Sequence, residues 1–256
     1  VRHGWVRDIA DFAKYGLLKR LAGNDLRLGV FWYLTTHAAA NAPLVSYLSR
    51  PDRYRACDGA LFDTLRRLHI EKGDKLTLED IERGNVLPSN TVFYSRLLST
   101  TAIERTGRRS ARDQWFQEGC AITPDCNLVF LDPDTGLLPT GRKAENAGGE
   151  EYALIEEVIS LCQRGQSVVC VQFGSPGNFE REPEIARARL AALGAALNAN
   201  GFPEPWGLWW RDGHKVGLLV APSTTDSDIL RLRRDDILND PAWKGKIAPL
   251  LRRPTD

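Results

Sequence analysis

The stretch Leu128-Val129-Phe130-Leu131-Asp132-Pro133-Asp134-Thr135-Gly136 is the strongest constraint on how this chain folds. An apolar run with the length and the β-branched, aromatic character of a buried strand stops abruptly in two carboxylates, a proline and a glycine. Asp-Pro-Asp-Thr-Gly is turn chemistry at the strand's carboxyl end. In open α/β sheets that edge is where ligands and catalytic groups collect.

Strand-like and helix-like segments alternate along most of the chain. Apolar residues recur at helical spacing over 10–22, with Phe12, Leu17, Leu18 and Leu21 on one face and Gly23 as the stop. A strand follows at 26–34. Helices are predicted at 58–69, where Asp58 is the N-cap, at 76–83, at 110–120, at 150–162, at 183–200 and at 225–238. Further strands are predicted at 91–95, 127–131 and 167–173. Two last strands, 206–211 and 214–221, are joined by Asp212-Gly213, a two-residue hairpin signal. This order predicts a Rossmann-like α/β fold. Its sheet should be mainly parallel and covered by helices on both faces, with a C-terminal antiparallel hairpin at one edge. Residues 1–256 read as one α/β domain, with the less regular 50–110 as a helical insertion or cap.

Composition excludes little. The net charge is +1, so any nucleic-acid footprint must be local. No apolar segment reaches the ~20 residues of a membrane helix, and the N-terminus lacks the apolar core of a signal peptide. A cytoplasmic protein without membrane contact is the expectation. The five cysteines include no Cys-x-x-Cys pair and no zinc spacing, and read as reduced and structural.

Asp132 and Asp134, at i and i+2 around Pro133, suit metal binding, acid–base work or acceptance of hydrogen bonds from a substrate amino group. The plain alternative is a turn. A carboxylate at a strand exit reads as solvated, with little packing. Gly174, Ser175 and Asn178, at the exit of the 167–173 strand, read as substrate-side residues because small residues there permit close approach. His37, just past the 26–34 strand, is placed beside the cofactor by position alone. His214 is a second lone histidine. Arginines cluster at Arg50, Arg53 and Arg55, at Arg105, Arg108, Arg109 and Arg112, and at Arg231, Arg233 and Arg234. With Tyr47, Tyr54 and Trp115 nearby they could follow a phosphate backbone, whereas interleaved aspartates favour a solvated face. Trp209 and Trp210 must point to opposite faces of their strand.

Two short segments carry a resemblance. Asp132-Pro133-Asp134-Thr135 looks like the Asp-Pro-Pro-Tyr motif of adenine-N6 methyltransferases. Arg2-His3 followed by Ala10-Asp11-Phe12-Ala13-Lys14-Tyr15 resembles the Arg-His … Ala-Asp-x-x-Lys-His opening of the large-subunit ribosomal RNA adenine-N6 methyltransferase family. Class I methyltransferase folds also end in a strand-turn-strand after an alternating core. The resemblance implies a methyltransferase-like protein that uses S-adenosylmethionine on a nucleic-acid base. Asp11 and Lys14 of the opening helix would lie against the cofactor. Asp132 and the Pro133 carbonyl would accept the amino hydrogens of a flipped adenine. Lys14, the exit of the 26–34 strand, Asp132 and the Gly174 loop should then line one cleft. By its residues alone, Lys14 is a solvated lysine on an amphipathic helix.

Two other functions fit the same residues. Asp132-Pro133-Asp134-Thr135 also resembles the Asp-x-Asp-x-Thr of haloacid-dehalogenase phosphatases, which implies a Mg²⁺-dependent phosphatase or a metal nuclease. The third is a non-catalytic Rossmann-like module that has lost its cofactor site. It is favoured by Thr135 standing where the base-stacking aromatic belongs and by the absence of a glycine after Leu34.

Overall fold

The structure is a computed structural model that describes residues 6–36, 42–100, 103–174, 182–213 and 215–250. Arg2, His3, His37, Ser175, Asn178 and His214 lie outside the described residues. A central seven-stranded sheet organises the chain. Its strands are β1 (Leu28–Trp32), β2 (Val92–Tyr94), β3 (Leu128–Asp132), β6 (Ser167–Phe173), β7 (Trp206–Trp210), β8 (Val216–Ala221) and β9 (Ile247–Leu250), in the order β2-β1-β3-β6-β8-β7-β9. Two short strands outside it, β4 (Gly136–Leu137) and β5 (Tyr152–Ala153), pair with each other. The first four sheet strands run parallel. β8 is antiparallel to both β6 and β7, and β9 is antiparallel to β7. The fold is Rossmann-like α/β, with a mixed sheet whose C-terminal strands are antiparallel.

Strand side chains alternate between two buried layers, as the two-residue period requires. Val30, Trp32, Phe130, Val169, Val171 and Trp210 face a layer that holds α1 (Ile9–Ala22), α3 (Gly59–Lys72) and α8 (Ser227–Asn239). Phe31, Val129, Leu131, Cys170 and Trp209 face the layer of α5 (Arg108–Ile122), α6 (Ile155–Gln163) and α7 (Glu182–Ala199). Trp209 and Trp210 therefore do point to opposite faces, and both are buried. The segment between β1 and β2 is largely helical, holding α2 (Pro51–Tyr54), α3 and α4 (Leu78–Arg83).

α1 is not the amphipathic surface helix its spacing suggests. Every residue of it except Lys19 and Arg20 is buried, because sheet, α3 and α8 surround it. Gly16 makes this possible: a Cβ there would lie 2.8 Å from the Trp243 ring. Asp8 caps α1 by accepting from the Ala10 N–H, and Asp11 completes the capping box on the Asp8 N–H.

Three expectations need correction. The predicted 150–162 helix begins only at Ile155. Residues Gly149–Glu151 form a single 3-10 turn and Tyr152–Ala153 a short strand paired with Gly136–Leu137, and Arg112 ties both down by donating to the Gly149 and Tyr152 carbonyls. The terminal hairpin is not at the edge: β8 is interior and β9 takes the outside position. Its strands are also joined by more than two residues, since Trp210 is in register with Val216. Asp212 is instead drawn toward the helical segment, where Arg53 and Tyr54 donate to its carboxylate at 2.7 and 2.9 Å.

Candidate functional site at the carboxyl edge of β3

Asp132 is the last residue of β3 and is 1% exposed. Lys14, 118 residues earlier on α1, is 3% exposed and donates to both of its carboxylate oxygens, at 3.0 and 3.2 Å. The Lys14 ammonium also lies 2.7 Å from Asp11, one helical turn before it. The same ammonium lies over the Phe173 ring at the end of β6, 5.8 Å from Nζ to centroid. The site is thus a buried acid–lysine–acid cluster capped by an aromatic face. The reading of Lys14 as a solvated surface lysine is overturned, and so is that of Asp132 as a solvated carboxylate. Both follow from α1 being buried on all sides.

Two carboxylates share one ammonium, and this sets the electrostatics. Burial pushes the Asp11 carboxyl up to about 7. Lys14 pulls it back, while Asp8 and Asp132 reinforce the rise. Burial opposes the charge on Lys14, but the Asp11 and Asp132 carboxylates overcome it and hold its pKa above the ordinary value. Lys14 is therefore a fixed cation, and Asp11 titrates near neutrality. With both acids ionised the cluster carries one excess negative charge, which suits a cationic or amino-bearing ligand.

The acidic turn is held from below. Gln172 of β6 accepts from the Leu137 N–H at 3.0 Å and donates to the Thr135 and Phe173 carbonyls. Gly136 has φ +131°, and a Cβ there would strike the Gln172 side chain at 2.4 Å, so this turn requires glycine. Asp134 is half-buried and accepts from the Thr35 hydroxyl at 2.9 Å. Asp132 and Asp134 thus have different partners: the first faces α1, the second the exit of β1. Pro133 between them is buried, and Gly174 is half-buried directly after Phe173. Of the groups expected in one cleft, Lys14 and Asp132 are in direct contact; Phe173, next to Gly174, lies against Lys14, and Thr35 at the β1 exit donates to Asp134, two residues on from Asp132. Sequence reasoning missed Gln172, Thr35 and Phe173. Gln172 carried a signal, being the only polar side chain in the interior of an otherwise apolar strand.

Several candidate nucleic-acid contacts prove structural. Tyr47, Tyr54 and Trp115 are core residues and offer no ring to solvent. Arg112 is buried in a two-bond pair with Glu157, at 2.7 and 3.0 Å, which also accepts from the Tyr33 hydroxyl at 2.8 Å. Arg233 donates to the Leu21 and Ala22 carbonyls and closes the end of α1. All five cysteines are free and buried. Burial pushes the Cys120 thiol up to about 11 and that of Cys162 up to about 12, as expected of inert thiols. Among the described residues, no cluster of three or more His, Cys, Asp or Glu could hold a metal ion, and no helix is long and apolar enough to cross a membrane.

No family model matches the chain, and no curated protein matches it.

Proposed function

We propose that this chain is a methyltransferase-like enzyme that uses S-adenosylmethionine on a base of a nucleic acid. The observation that carries this reading is the contact between Lys14 and Asp132. The two segments that carry the resemblance are 118 residues apart in sequence and meet as a buried ion pair at the carboxyl edge of the sheet. The donor set suits the cofactor's charge. A sulfonium and an α-amino group are cationic, and the cluster has one more carboxylate than ammonium. When bound, S-adenosylmethionine would supply the methyl group. Asp132 and the Pro133 carbonyl would accept hydrogen bonds from the amino group of the base, and Lys14 would hold the Asp132 carboxylate in position.

The metal-dependent reading has less support. A Mg²⁺ ion bound to Asp132 would lie beside the Lys14 ammonium and be repelled by it. A non-catalytic module would bind neither ligand.

A thermal-shift series with S-adenosylmethionine, S-adenosylhomocysteine and Mg²⁺ tests the three readings, since a ligand selective for the folded state raises its stability. The proposal expects a rise with both adenosyl compounds, together with transfer of labelled methyl groups to nucleic acid. A rise with Mg²⁺ alone, or with none of the three, overturns it.

A further inference from the structure

One group of arginines lies beside the acidic turn, and among the described residues none of them forms an ion pair. Arg105, before α5, donates to the Asn146 side chain at 3.0 Å. Arg108, in the first turn of α5, donates to the Ile103 and Glu145 carbonyls at 3.0 and 3.1 Å. Arg142 donates to the Ala147 carbonyl at 2.8 Å and lies over the Tyr152 ring, 4.9 Å from its centroid. Arg189, on α7, is half-buried and has Tyr152 as its electrostatic neighbour. Burial pushes its guanidinium pKa down. Among the described residues no carboxylate pairs with any of these four, whereas the neighbouring Arg109 and Arg112 have Asp113 and Glu157.

Arg105 and Arg142 are exposed and Arg108 and Arg189 half-buried, and guanidiniums held by carbonyl and amide oxygens keep their positive charge, so a cluster of them suits an anion from outside. The cluster is tied to the candidate site by backbone. Tyr152 is in register with Gly136, and the Thr135 N–H donates to the Glu151 carbonyl at 3.0 Å. The strand carrying Tyr152 therefore runs alongside the chain as it leaves Asp132 and Asp134. Tyr152 is half-exposed, so its ring and the guanidinium stacked on it form a flat cationic platform. Such platforms stack unpaired bases, while free guanidiniums take phosphates.

We propose that Arg105, Arg108, Arg142, Tyr152 and Arg189 form a docking surface for a single-stranded polynucleotide, with phosphates on the arginines and a base against the Arg142–Tyr152 pair. This names a substrate surface for the site proposed above and rests on that reading, but binding is tested without cofactor. Fluorescence anisotropy on the full chain, with single-stranded RNA, single-stranded DNA and duplex probes across a salt series, measures it. Single strands should bind more tightly than the duplex. Reversing the two exposed arginines together, Arg105→Glu with Arg142→Glu, should weaken binding about tenfold or more and reduce the salt slope by about 1.4, because each phosphate contact on a single strand contributes about 0.7. The reversal Arg67→Glu on α3, equal in kind and remote from this surface, should leave binding unchanged. If the doubly reversed protein fails to fold, Arg105→Gln with Arg142→Gln gives the same direction with smaller size. Equal weakening by Arg67→Glu, duplex preference, or an unchanged slope overturns the docking surface. Binding with this pattern but no methyl transfer leaves the surface standing and removes the methyltransferase reading. Transfer that is insensitive to the arginine variants does the reverse.

Discussion

Asp132 shows how strongly burial changes the meaning of a residue. In a solvated turn its removal would cost about 1 kcal/mol through lost hydrogen bonds. Here its loss leaves an ammonium without its second partner inside the core, and Asp132→Ala should destabilise the fold by about 3–5 kcal/mol. Asp132→Asn keeps the shape, leaves Lys14 paired with Asp11, and should fold while losing methyl transfer. Asp134→Ala should be mild for methyl transfer, since this reading places the acceptor role on Asp132 and the Pro133 carbonyl. Urea unfolding and a methyl-transfer assay on the same three proteins check this. Equal, severe loss of activity in Asp132→Asn and Asp134→Ala would favour metal-assisted hydrolysis. Asp11 adds a pH dependence. Its folded pKa of about 7 lies above the unfolded 3.8, so between these values the folded state binds the extra proton. Stability from this group is full below about pH 4 and declines as pH rises toward 7, by at most about 4 kcal/mol. Asp11→Asn cannot titrate. The melting temperature of Asp11→Asn minus that of the native chain should therefore climb between pH 5 and pH 8. A flat difference would mean that Asp11 stays ionised throughout.

At the level of elements, α5 shows local preference and packing in opposition. Gly119 lies in the helix interior, where alanine is normally better by about 1 kcal/mol. A Cβ at this position, however, would sit 2.2 Å from the Phe31 ring. Phe31 is wedged among Tyr94, Trp115 and Phe116 and has no room to yield. Overpacking of this kind costs about 1–3 kcal/mol, so Gly119→Ala should be destabilising in chemical denaturation, and Phe31→Leu should partly rescue it. The same opposition explains which elements were legible in the sequence. β6 was read with its observed bounds, and β1, β3, α1, α3 and α7 to within a few residues, because long apolar or periodic runs and an N-cap such as Asp58 are local signals. β4, β5 and β9 were missed. β4 and β5 have two residues each, and their pairing depends on Arg112 and Gln172, which are distant in sequence. β9 contains Pro249 and is visible only through its pairing with β7. At the site, strand chemistry pointed to Asp132. That Lys14 would be buried on it could not be read from periodicity, because α1 is enclosed by elements that follow it in the chain.

For the whole molecule, the decisive feature is that both helical layers share one sheet. Phe31 serves one layer and Trp32 the other, and the same holds for Trp209 and Trp210. Neither layer can leave without exposing strands on which the other depends. The helical segment between β1 and β2 is bound in as well: Phe12, Tyr47, Tyr54 and Phe62 pack ring against ring, and Trp243 stacks on Phe12 while donating to the Cys57 carbonyl at 3.1 Å. The cysteines report on this coupling. Cys57 lies in the α1 layer, and Cys120, Cys126, Cys162 and Cys170 lie in the other. All are buried with raised thiol pKa values, so labelling by a thiol reagent requires opening of the structure. Under native conditions no thiol should react rapidly, and all five should do so in denaturant. Residue-resolved labelling by mass spectrometry should then give Cys57 and Cys170 the same opening free energy, with the same dependence on urea, because one cooperative transition exposes both. Selectively fast labelling of Cys57 would show instead that the helical segment opens by itself above an intact sheet.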